Sequence, residues 1–173
     1  MSTIYNYGGS FGGAGTINGS AIDPLDNPTN FFNLGGTIAP GDPSELTIDG
    51  NLLFSGGLLD IKIAGVNDLD QIDVTGLAQI TGGTLELDFI NGFAPHKGDV
   101  YEFLVGNDVG AALFASVVIT GLAPGFQYAL TPGADGSLDL TAESAQAEAP
   151  LGGPDTTRAF LVFLGKTGYR RRP

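Results

Sequence analysis

Residues Leu46–Ile63 read LTIDGNLLFSGGLLDIKI, and Ile72–Phe89, 26 residues on, read IDVTGLAQITGGTLELDF. Gly50 falls on Gly76, Gly56 on Gly82 and Gly57 on Gly83. Ile48 falls on Val74, Phe54 on Ile80, Leu59 on Leu85, Ile61 on Leu87 and Ile63 on Phe89. An internal repeat sets architecture before any single residue does. No catalytic motif elsewhere is as clear, so architecture is the main route from this sequence to function.

Each copy alternates apolar and polar residues, the period of a half-buried strand. Leu59, Ile61 and Ile63 share one side, and Asp60 and Lys62 the other. In the second copy Leu85, Leu87 and Phe89 point in, while Glu86 and Asp88 point out. The offset is even, so inward positions land on inward positions. The glycine pairs 56–57 and 82–83 interrupt the strands, since glycine takes positive φ without strain. Like-on-like matching favours stacked rungs, a β-solenoid in which equivalent residues lie about 4.8 Å apart. The alternative is two consecutive hairpins of an antiparallel β-sandwich.

Composition agrees with an all-β chain. It has 28 glycines and 10 prolines in 173 residues, a turn-dense balance, and no convincing helical period precedes residue 143. Its net charge is −12. All but one of the acids lie before Pro150, against only Lys62 and Lys97 there. Such a body repels nucleic acid and anionic membrane surfaces. There is no cysteine, hence no disulfide framework. No stretch reaches the roughly 20 apolar residues of a membrane helix. The expectation is also that this chain carries no signal peptide, as Met1-Ser2-Thr3 leads straight into glycine-rich sequence.

Four segments are expected: a glycine-rich N-terminal coil and loop (1–34), a body (35–142), a linker (143–157) and an apolar-basic tail (158–173). Thr16-Ile17-Asn18 echoes Thr47-Ile48-Asp49, which suggests an earlier, irregular coil, with a flexible linker as the alternative. Residues 21–34, with two prolines, are expected to form a loop that tucks Phe31, Phe32 and Leu34 under the first coil. Tyr101, Phe103 and Val105 are expected on one strand face, and 136–141 forms the last strand.

Candidate chemistry is sparse. Asn67, Asp68, Asp70 and Asp73 crowd one turn with hard oxygen ligands of the kind Ca²⁺ takes. The EF-hand loop and the GGxGxD calcium repeat are absent, and the competing reading is a solvated turn with Asp70 accepting from backbone amides. His96, the one histidine, lies in a polar turn with no nucleophile elbow elsewhere. Asp60, Glu86 and Asp88 form an outward acidic face, and paired carboxylates can cleave sugars. Solvent-facing acids on strands are ordinary, so no catalytic residue is assigned. No cofactor is expected other than that calcium.

The order GAGTING (13–19), GGTIAPGDP (35–43), LTIDGNL (46–52), GGLLDIKI (56–63), DQIDVTGLAQITGGTLELDF (70–89), GFAPHKGDVYEFL (92–104) and DGSLDLTA (135–142) resembles the end of an autotransporter-like passenger β-helix of bacterial surface proteins. It is similar to secreted repeat proteins that end in a PEP-CTERM sorting tail. The resemblance implies a right-handed parallel β-helix at the bacterial surface or outside the cell, acting as stalk, adhesin or matrix component, and supplies no catalytic residue. The tail departs from the pattern: Glu148-Ala149-Pro150 replaces Pro-Glu-Pro, and Lys166 interrupts the apolar run.

The functional expectation is a non-catalytic structural or adhesive protein, with a carbohydrate-active enzyme or a calcium-stabilised binding module as alternatives. The expected partners are further copies of the chain, as oligomer or filament, and surface polysaccharide. Tail residues Phe160, Leu161, Val162, Phe163, Arg170, Arg171 and Arg172 are the candidates for assembly. The apolar run suits one added strand, and the arginines oppose the acidic body.

Overall fold

The computed structural model describes residues 3–18, 29–109, 114–133, 136–147 and 157–159. Within them the chain is all-β, with no helix. In chain order the strands are β1 (Thr3–Asn6), β2 (Ser10–Gly12), β3 (Gly15–Asn18), β4 (Thr29–Asn33), β5 (Thr37–Ala39), β6 (Glu45–Phe54), β7 (Leu58–Gly65) and β8 (Asp68–Leu69). They continue with β9 (Gln71–Ile80), β10 (Thr84–Phe89), β11 (Val100–Val109), β12 (Ser116–Thr120), β13 (Tyr128–Pro132), β14 (Leu138–Ala142) and β15 (Thr157–Ala159).

Two sheets divide these strands, and the chain passes from one to the other. The first runs β1-β4-β6-β9-β11-β14-β13, with β3 also on β6. The second runs β15-β12-β10-β7-β5-β2, with β8 beside β7. Every pair from β1 to β12 is parallel except the small β7–β8 hairpin. Consecutive antiparallel hairpins, the sandwich alternative, are therefore not how the repeat pairs.

The 26-residue offset is the hydrogen-bonded register. Leu59 pairs with Leu85 and Ile61 with Leu87 in the second sheet, and Ile48 with Val74 and Phe54 with Ile80 in the first. All eight are buried. The echo near the N-terminus is also structural, with Thr16 on Thr47, Ile17 on Ile48 and Asn18 on Asp49. The next circuit is longer: Leu85 pairs with Val117 and Ile72 with Leu104. The turn over 91–98 supplies the extra length, and parity is kept because the increment is even.

The corners repeat as faithfully as the strands. Leu34 N donates to Asn6 O, Ser55 N to Asn33 O and Thr81 N to Phe54 O, each at 2.9 Å. Three residues further along each corner, Thr37 N donates to Gly9 O, Leu58 N to Gly36 O and Thr84 N to Gly57 O. Within the long strands the ladder lapses around Gly50 and Gly76, where side chains replace it. Thr75 Oγ1 accepts from Gly50 N, and Asn51 Oδ1 accepts from Leu77 N.

Three expectations change. Thr29–Asn33 is a strand and not a loop: β3 and β4 lie on the two halves of β6, which templates both. Phe31 is buried as expected, whereas Phe32 turns outward onto Tyr5. On β11, Leu104 is buried and Val105 is not, because the pairing shifts between Glu102 and Leu104 and reverses the alternation. The last strand, expected within the stacked body, does not stack in parallel like the strands of the repeat. β14 runs antiparallel to β11, and β13 antiparallel to β14, closing this end. Phe89, Phe93, Tyr101, Phe126 and Tyr128 form a chain of ring contacts beneath the closure.

Of the linker, residues 143–147 bond to the body. Glu143 N donates to Gln127 O, Gln146 N to Pro95 O, and the Gln146 side chain to Ala123 O. Thr157–Ala159 pairs antiparallel with β12 at the edge of the second sheet. The assembly candidates Phe160–Phe163 and Arg170–Arg172 lie outside the described residues.

Candidate functional site

The acidic face lies on the outer side of the second sheet. Inward positions of β7 and β10 are apolar, so pleating turns Asp60, Lys62, Glu86 and Asp88 outward. Glu86 sits beside Asp60 and Asp88 beside Lys62. Thr120 Oγ1 donates to Asp88 Oδ1 at 2.7 Å, and the Thr84 and Ser116 hydroxyls are 2.8 Å apart. Lys62 Nζ turns to the preceding corner, where it meets Asp42 at 2.9 Å and Gly41 O at 3.0 Å.

This packing alters the acids. Burial pushes the Asp60 carboxyl above its ordinary range, Lys62 opposing and Asp88 adding to it. Glu86 is raised in the same way, by burial and then by Asp60 and Asp88. Neighbouring carboxyls with raised affinity for protons can exchange a proton or take a cation, and a general acid needs such a shift.

Asp70 has a different role. It is fully buried; its Oδ1 accepts from Ser44 N at 2.8 Å and its Oδ2 from Lys62 N at 2.9 Å. Burial raises its carboxyl, against the lowering effect of those two amides. It thus ties the β7–β8 hairpin to the circuit before it. Asn67 is exposed in the hairpin turn and Asp68 at the start of β8, and Asp73 faces outward on β9. The four candidate calcium ligands are not gathered: an ion would have to take Asp70 from two amides. Among the described residues no group of three or more His, Asp or Glu side chains is arranged to hold a metal.

His96 is exposed in its turn, with Nδ1 3.7 Å from Asp99 Oδ2. That oxygen accepts from His96 N at 2.8 Å and from the Tyr101 hydroxyl at 3.2 Å. The Asp99 carboxylate thus shapes the turn.

Two features were not anticipated. Asn6 and Asn33 are buried and stacked, with Asn6 Nδ2 donating to Asn33 Oδ1 at 2.8 Å. Asn33 Nδ2 reaches Gly36 O and Gly56 O, so one side chain joins two corners. Their signal is present in the sequence as Asn6-Tyr7-Gly8-Gly9 and Asn33-Leu34-Gly35-Gly36. The second is an external aromatic stack. Tyr5 lies 5.1 Å from Phe32 and 6.0 Å from Tyr7, centroid to centroid, with the ring planes nearly parallel in each pair. Beside it Asn51 Nδ2 donates to Asn30 Oδ1 at 2.9 Å.

The raised carboxyls give a pH prediction. Asp60, Asp70 and Glu86 bind protons more tightly when folded, so their contribution to stability falls as pH rises from the ordinary carboxylate range through their raised values. Lower pH also relieves the self-repulsion of a −12 chain. The thermal midpoint should rise on acidification from neutral pH to about pH 5, and Asp60→Asn should flatten that rise. A midpoint that falls over this interval would contradict the assignment.

The chain matches no protein-family model, no curated protein and no solved structure.

Proposed function

We propose that the chain is a right-handed parallel β-helix with a non-catalytic structural or adhesive role at the surface of a bacterium or outside the cell. The observation that carries this is the parallel pairing from rung to rung between β1 and β12, with the same corner bonds one circuit apart. A rod of this kind sets distance and presents side chains at a fixed spacing. Its outward polar groups are bonded from rung to rung, as at Asn30–Asn51 and Asp88–Thr120. The acidic body disfavours nucleic acid as a partner, and surface polysaccharide is the proposed ligand class. Self-association is part of the proposal. The closed C-terminal end and the intrachain pairing of β15 favour contacts at the other end over a tail-mediated filament.

One observation favours a second reading. Asp60 and Glu86 are neighbours with raised carboxyls, the pairing a carbohydrate-active enzyme would need. Binding and hydrolysis screens over bacterial polysaccharides separate the two. The structural reading expects retention on a glycan or cell surface with no product formed. Turnover that disappears in both Asp60→Asn and Glu86→Gln would establish the enzyme instead.

A further inference from the structure

The two ends of the molecule are built differently. At the C-terminal end the first sheet closes with antiparallel β14 and β13, Pro132 lying in the outermost strand, and the second sheet is covered by β15. At the N-terminal end β1, β2 and β3 each pair on one side only among the described residues, with β4, β5 and β6. Their inward residues show the consequence. Ile4, Phe11 and Ile17 are only half-buried, while their partners one rung in, Phe31, Ile38 and Ile48, are 1% exposed or less. Open strand edges are normally blunted by charge, proline or bulges. Residues 3–18 contain no charged residue and no proline.

We infer that this end binds a second copy of the chain, end to end, through a two-fold contact that pairs the edge strands antiparallel and covers Ile4, Phe11 and Ile17. Charge selects the occupant. Two copies carrying −12 each repel across their acidic bodies, and edge strands β1, β2 and β3, which carry no charged side chain, let them pair without opposing like charges strand to strand. The same patch serves both partners, so the contact closes at two copies. Tyr7, 72% exposed at the top of the ring stack, adds apolar surface at this end. The inference rests on the stacked-rung architecture of the proposed β-helix and not on its surface role.

The test is sedimentation or light scattering of the full chain over a concentration series, in low and high salt. The expected result is a species of twice the chain mass, and one that salt strengthens by screening the bodies. Ser10→Asp with Thr16→Asp, both exposed on the outermost strands, should weaken it at least about tenfold by opposing like charges across the two-fold axis. Thr131→Asp at the other end should leave it intact. Circular dichroism and melting of dilute samples check folding, and Thr16→Asp alone replaces the double variant if that melt changes. A full chain that stays monomeric, one that grows past two copies, or a dimer lost in Thr131→Asp and kept in the N-terminal variants would each overturn the inference.

Discussion

Leu85→Ala is expected to lower the free energy of unfolding by about 2–5 kcal/mol, through lost burial and the cavity left behind. Leu85 is fully buried between Leu59 on one rung and Val117 on the next, so neither flank can close over the gap without shifting a strand. Urea unfolding measures the loss. Leu59→Ala in the same background should be non-additive, because the two side chains belong to one column. A loss below about 1 kcal/mol, the ordinary size of a point-mutation effect, would mean that the column does not carry the core.

Gly57→Ala is expected to cost about as much, for a different reason. Its φ is 88°, where a side chain is strained by roughly 1–3 kcal/mol. A Cβ there would also lie 2.0 Å from Gly36 O. That oxygen is not free to retreat, since it accepts from Leu58 N at 3.0 Å and from Asn33 Nδ2 at 2.9 Å. Breaking those bonds leaves polar groups unmatched at a further cost of about 1–3 kcal/mol each. Gly125→Ala is the matched control: its φ is 98° with no atom within 4 Å of the added carbon. Its loss should reflect strain alone, and equal losses at the two positions would remove crowding as the reason for the corner glycines.

The candidate site was legible in outline. Alternation alone places Asp60, Glu86 and Asp88 outward, and the repeat brings Glu86 onto Asp60. The burial that raises the Asp60 and Glu86 carboxyls comes from neighbouring strands, and no residue pattern along β7 or β10 reports it. At Asp70 the sequence allowed both an ion ligand and a backbone acceptor. Ser44, 26 residues away, decides for the second by supplying its amide. The stacked asparagines carry a written signal, yet the first Gly-Gly corners differ from the later ones in the residue that precedes them, Asn in place of Phe54 and Ile80. Only the contact of Asn6 with Asn33 shows that the position is one column.

By itself the sequence determined the strands of the repeat, the side of each that is buried and the even 26-residue offset between the copies, while the pairing at that offset and of Thr16–Asn18 with Thr47–Asp49 came from the fold. The first three follow from pleat and parity, which each strand carries in its own residues. Tertiary structure decided the rest: that β4 is a strand, that Leu104 replaces Val105 inside, that β14 and β13 run back as a closure, and that β1, β2 and β3 pair on one side only among the described residues. Strand direction and partnership depend on hydrogen bonds between backbones far apart in the chain. Those groups are the same in every residue, so side-chain pattern says which face is buried and not which strand lies beside it, or which way that strand runs.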